Sequence, residues 1–201
     1  MALTPDLPRV DVSSRGQWRD WLAEHHATST GVWVVTTKKA FVTEAQEYVS
    51  ARDLNEECLC FGWIDSKPAR IDERRSALLC TPRKAGSSWS RVNKERYAQL
   101  AAEGQLAEAG RAAAEASKAD GGWDRLNEVD ALVEPADLVA ALDADPSART
   151  YWNAFPASAR RGILEWIGNA KRESTRAQRI ATTVDLAARN ERALAWKPRR
   201  A

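Results

Sequence analysis

Three prolines divide this chain into two kinds of sequence. Pro135, Pro146 and Pro156 each stand where a first helical turn would begin. A proline is tolerated there because the N–H it lacks would have no intrahelical partner. The runs "PADLVAALDAD", "PSARTYWNAF", "PASARRGILEWIGNA" and "STRAQRIATTVDLAARN" then read as successive helices, and no strand pattern returns. Upstream, both periods occur. The fold class that follows is α+β: a mixed α/β N-terminal region with a small sheet, then an all-helical C-terminal region. The expected organisation is an N-terminal arm over 1–12, an α+β region over 13–123, a connection over 124–134, a helical region over 135–190 and a basic tail over 191–201.

Within the first region, "SSRGQWRDWLAEHHATS" places Trp18, Trp21 and Leu22 on one helical face, with Ser13 or Ser14 as cap. "GVWVVTTKK" is β-branched and reads as a strand. "SARDLNEECLCFG" reads as a helix. Ser50 and Asp53 resemble a capping box, Leu54, Cys58 and Phe61 recur on one face, and Gly62 suits a left-handed terminus. "WIDSKPARIDERRSALLCTPRK" reads as one or two strands with a charged turn, stopped at or edged by Pro82. "AGSSWSRVNKERYAQLAAEG" starts with capping serines, carries a stripe of Trp89, Val92, Tyr97 and Leu100, and stops at Gly104. The alanine-rich run from Leu106 to Ala119 reads as a further helix.

Composition narrows the function classes. The chain has 201 residues, 44% hydrophobic and 29% charged, which fits a folded protein rather than a disordered one. No apolar stretch approaches the roughly 20 residues that span a bilayer. The start "MALTPDLPRVDVSS" has no signal-peptide pattern, so a cytoplasmic location is expected. Cys58 and Cys60 form C-x-C, and His25 and His26 are the only histidines. Neither spacing fits zinc, so free thiols, no metal and no cofactor are expected. Charge is uneven: Arg160 to Arg200 holds eleven Lys/Arg against four Asp/Glu.

Two constellations could carry function. The first surrounds residues 63–93. Asp65, Lys67, Arg83, Ser88 and Asn93 supply an acid, cations, a hydroxyl and an amide, while Trp33, Trp63 and Trp89 supply flat apolar walls. Such a mixture suits a small-molecule pocket. Serines at a helix N-terminus beside Arg83 and Lys84 point to an anionic ligand group, a carboxylate or a phosphate. The structural alternative is that Asp65 pairs with Arg83, Ser88 is only a cap, and the tryptophans are core. Alternation from Gly62 sends Trp63 and Asp65 to one face and Ile64 and Ser66 to the other; Ile64 is expected in the core, with Trp63 and Asp65 facing a cleft. The second constellation is Arg172, Arg176 and Arg179, spaced i, i+4, i+7, so a helix would put them on one face. They could bind nucleic-acid phosphates, or hold this region to acids such as Asp120 or Asp124. No G-x-S-x-G motif or glycine-rich phosphate loop occurs.

The stretches "GWID" (62–65), "TPRK" and "SSWSRVNKERYAQLAAEG" (81–104), "AGRAAAEASKADGGW" (109–123) and "KRESTRAQRI" (171–180) together resemble the YdeI/OmpD-associated family, also called bacteriocin-protection proteins. The resemblance runs from Trp21 to about Asn190. Glu173-Ser174-Thr175-Arg176 carries one serine more than the family's E-T-R form. The resemblance implies a bacterial protein with an α+β N-terminal region and a helical C-terminal region, linked to antimicrobial-peptide resistance and to an outer-membrane porin. It implies little chemistry. The leading expectation is therefore a binding or stress-protection protein for a small anionic ligand. An enzyme acting on a small anionic substrate in the same tryptophan-lined pocket is the first alternative. A nucleic-acid binder using the basic C-terminal helices is the second.

Overall fold

A computed structural model describes residues 7–44 and 47–194. The chain forms two compact units, Met1–Asp124 and Arg125–Ala201. The expected basic tail lies mostly outside the described residues, as does the first half of the expected arm.

The first unit is built on a four-stranded sheet in the order β1-β2-β4-β3. Its strands are β1 (Arg9–Asp11), β2 (Val32–Thr37), β3 (Trp63–Arg70) and β4 (Arg75–Pro82). Part of the segment read as an arm is thus a strand: β1 pairs in parallel with β2, Val10 opposite Val34. Three residues are too few to show a period, so β1 left no sequence signal. β3 and β4 form an antiparallel hairpin, and β4 ends on Pro82. Between Asp65 and Pro68 the register shifts, so Ser66 and Lys67 together oppose Leu79. The bulge accommodates Pro68 on an edge strand, where no ladder N–H is required.

Each face of the sheet has its own apolar cluster. Val10, Val32, Val34, Trp63, Leu78 and Cys80 join the main core with Trp18, Leu22, Leu54, Cys58 and Trp89. Trp33, Val35, Ala69, Ala77 and Leu79 form a separate cluster on the opposite face. The main face is covered by α1 (Arg15–His25) and α2 (Ala51–Cys60). Ser14 caps α1 through the Gln17 N–H, and Ser50 with Asp53 forms a reciprocal capping box on α2. Gly62 takes φ +73° after α2. α3 (Arg91–Ala102) and α4 (Glu108–Ala119) pack on α2. Gly110 brings α4 against the α2 terminus: a Cβ there would lie 2.2 Å from the Cys60 carbonyl oxygen. Val92, expected on the α3 stripe, is exposed.

The second unit is all helical: α5 (Asn127–Asp130), α6 (Ala136–Asp143), α7 (Pro146–Ala154), α8 (Ala157–Gly168) and α9 (Glu173–Ala188). Pro146 is the first residue of α7, whereas Pro135 and Pro156 are cap residues one position earlier. Leu138, Leu142, Trp152, Ile163, Ile167 and Ile180 fill its core. Among the described residues no helix is long and apolar enough to cross a membrane.

Candidate functional site

The segment Leu54–Cys60 of α2 is buried throughout, including Asn55, Glu56 and Glu57. A helix buried all round cannot leave its polar side chains to water, so each needs a protein partner. On one side Glu57 accepts from Arg15 Nε at 2.6 Å and Arg19 Nη1 at 2.8 Å, tying α1 to α2. On the other side Asn55 is the hub of a polar network. Its Nδ2 donates to Asp65 Oδ1 at 2.6 Å and to Asn93 Oδ1 at 3.2 Å, and its Oδ1 accepts from Arg96 Nη1 at 2.6 Å. Strand β3 and helix α3 are thereby joined through one amide.

Arg83 follows β4 directly. Its backbone N–H donates to the Gly62 carbonyl at 3.0 Å, and its Nη1 to the Ser88 carbonyl at 3.3 Å. Its guanidinium carbon lies 3.8 Å from the centroid of the Trp89 ring. Arg83 Nε and Nη2 are buried without a hydrogen-bond partner, and so are Trp89 Nε1 and Ser87 Oγ. Burial pushes the Arg83 guanidinium down to about 10, and the nearby Cys58 and Asp65 oppose this only in part. The group remains a cation at neutral pH. The loop that carries it is rigidly seated. Gly86 and Gly122 both donate to the Asp120 carboxylate, and Trp89 N–H donates to the Gly122 carbonyl. A Cβ on Gly122 would lie 2.6 Å from the Ser87 carbonyl oxygen.

The expected pocket residues therefore separate. Asp65, Arg83, Trp89 and Asn93 gather where β3, β4, α2 and α3 meet. Trp63 does not line a cleft: it is 1% exposed, donates to the His26 carbonyl at 3.2 Å and meets Trp18 and Trp21 edge-on. The alternation is as expected, with Asp65 beside Trp63 on one face, but that face is the main core, while Ile64 is half-buried on the other. Trp33 lies across the sheet and cannot share a wall with Trp89. Lys67 is exposed in the bulge. Ser88 contributes its carbonyl, whereas the cap of α3 is Ser90, whose Oγ accepts from Asn93 N–H. The donor on Asp65 is Asn55, rather than Arg83. Asn55 and Arg96 were not foreseen as members.

The basic face is also corrected. Arg172 is the extended cap residue of α9, so it does not continue the helical spacing. Arg176 grips Asp137 through two bonds of 2.7 and 2.8 Å. Arg179 donates to the Trp166 carbonyl and stacks over its ring at 5.1 Å. Their partners lie inside the helical unit, not at Asp120 or Asp124. Cys58, Cys60 and Cys80 are free and buried. Burial and the contact with Cys80 push the Cys58 thiol up, which makes it a poor nucleophile.

Residues 131–190 match the family described as bacteriocin-protection, YdeI or OmpD-associated. The helical unit is a YdeI/OmpD-associated domain. Residues 10–113, half of the chain, match a domain of unknown function (DUF8412), and the chain belongs to that family. The family resemblance read from the sequence thus holds, with its match falling on the helices and "KRESTRAQRI", while "GWID" and "SSWSRVN" lie in the other domain. No curated protein and no solved structure matches the chain.

Proposed function

We propose that the DUF8412 domain binds a small oxyanion at Arg83, and that this binding serves a protective role of the kind the YdeI/OmpD-associated family name describes. The observation that carries the reading is the group of unpaired buried donors at Arg83 and Trp89. Each buried donor without an acceptor costs about 1–3 kcal/mol. The two side chains are stacked, so one acceptor group placed beside them could relieve several such costs at once. A water accepts too few bonds and carries no charge, whereas a carboxylate or phosphate supplies several lone pairs and a charge opposite to the guanidinium. Asp65 is already engaged by Asn55, and Arg83 Nε and Nη2 have no acceptor among the described residues. The seated loop between Gly86 and Trp89 adds preorganisation. A cytoplasmic setting is part of the proposal, supported by three thiols that are free and buried.

The test is a titration of the full chain with phosphate and with acetate, read by tryptophan fluorescence, since Trp89 adjoins the site. A saturable change is expected for at least one anion in the wild type and none in Arg83→Met, which keeps apolar bulk over the Trp89 ring. No saturable change with either anion, or an unchanged response in Arg83→Met, refutes the reading.

A further inference from the structure

A concavity lies toward the other end of β4. Thr36 pairs with Ser76 across β2 and β4, and Pro68 stands opposite Leu78. By alternation these positions share the sheet face of Val34 and Cys80. With Tyr48, Val49 and Leu54 they border a cleft of about 230 Å³. Six residues of β4 lie between Ser76 and Arg83, seven rises or roughly 23 Å, so this is a different place from the oxyanion site.

Three features of the cleft define what would fit. Its deep side is apolar: Val49 and Leu54 are buried, at 4% and 2% exposure. Its polar lining consists of the hydroxyl residues Thr36, Thr37, Tyr48 and Ser76 and the amines Lys38 and Lys39, with no carboxylate side chain among the described residues. The two lysines also differ. Lys38 Nζ is held by the carbonyls of Asp72 and Glu73 at 2.9 and 2.8 Å. Lys39 Nζ lies 5.8 Å from the centroid of the Tyr48 ring and has no oxygen partner among the described residues. An uncommitted cation beside hydroxyls, above an apolar floor, complements a ligand with one negative end and an apolar body. A bare inorganic anion would leave the floor wet. A nucleotide or a long-chain acid exceeds the volume.

We propose that this cleft binds a small organic monocarboxylate with a compact apolar body, the carboxylate meeting Lys39 and the hydroxyls and the body lying on Val49, Leu54 and Leu78. The proposal stands independently of the oxyanion site, and its test separates the two. The full chain is titrated with benzoate and with uncharged benzamide by calorimetry, and amide shifts are followed by NMR. Benzoate is expected to shift Thr36, Ser76 and Leu78 and to bind at least about tenfold more tightly than benzamide. Lys39→Gln, an exposed position that leaves the fold untouched, should weaken benzoate by at least about tenfold, while Arg83→Met leaves it unchanged. The proposal is overturned if benzoate fails to bind at millimolar concentration. It is also overturned if Lys39→Gln binds benzoate as well as the wild type, or if the shifts centre on Arg83 and vanish in Arg83→Met.

Discussion

The α+β unit buries Asn55, Glu56, Glu57 and Ser117, whereas the helical unit buries a single polar side chain, Thr183, among the described residues. Thr183 bonds the Arg179 carbonyl one turn back at 2.8 Å, and the Trp152 indole meets Glu134 at 2.7 Å. Its charged groups pair mostly at the surface, as Arg176 does with Asp137 and Arg189 with Asp185. Arg160 and Arg161 each have a buried Nε without a hydrogen bond, and that of Arg161 lies 3.2 Å from an Asp130 oxygen. In the first unit Trp33 Nε1 is orphaned alone on the far sheet face, while the others cluster at Arg83, Ser87 and Trp89, two of them on one guanidinium stacked against a third. Both units had apolar residues enough to form a core. The difference teaches that the helices of the second unit use polarity to fix their own packing, while the first unit keeps polar capacity that its own chain does not use.

The comparison breaks most readily at α2, the element on which the first unit converges. Gly110→Ala should destabilise that unit by about 3 kcal/mol, because the added methyl meets the Cys60 carbonyl. Helix propensity alone predicts a gain of about 1 kcal/mol, so the sign of the change measured by chemical denaturation decides between close packing and propensity. Asn55→Ala comes next. It strips Asp65 and Arg96 of their common partner and should cost about 2 kcal/mol. A loss below half of that would mean water replaces the amide, and the network would not be the hub described above.

The smallest effect belongs to the helical unit. Arg176→Ala should cost less than about 1 kcal/mol, as expected for an ion pair at a solvated surface. The hydrogen bonds from Arg176 hold the Asp137 carboxyl below its ordinary range. A depressed folded value means that the contribution is present above the ordinary carboxylate range and is lost as pH falls through the lowered value. An NMR titration of Asp137 should therefore move upward in Arg176→Ala. An unmoved titration would mean that the pair is not formed in solution.

What could be read in advance follows from how local each signal is. Helix α2 was legible because Ser50, Asp53 and Gly62 mark its ends by local hydrogen bonding and φ preference. The β3–β4 hairpin was legible from its apolar runs and charged turn. The pairing of Trp63 with Asp65 on one face follows from strand geometry, but which face is the core depends on where α1 and α2 pack. That choice is made by residues far along the chain, so the local pattern alone does not show that Trp63 is core. Trp33 was grouped with it by residue type, though the sheet separates them. Asn55 was missed because its partners Asn93 and Arg96 lie 38 and 41 residues away. Arg83 could be named from its place before capping serines. Its unpaired nitrogens could not, because an unmet donor is a property of the packed state.

The most direct measurement compares the stability of wild type and Arg83→Met with and without phosphate. If the donors at Arg83 and Trp89 are held for a ligand, removing the guanidinium relieves unmet buried donors. Arg83→Met should then be at least as stable as the wild type in anion-free buffer, and its melting temperature should not respond to phosphate. The wild type should gain stability as phosphate is added, by about 2.7 kcal/mol at a hundred times the dissociation constant. A structural Arg83 gives the opposite pattern: Arg83→Met loses about 2 kcal/mol in anion-free buffer and the wild type ignores phosphate. That result would contradict the account.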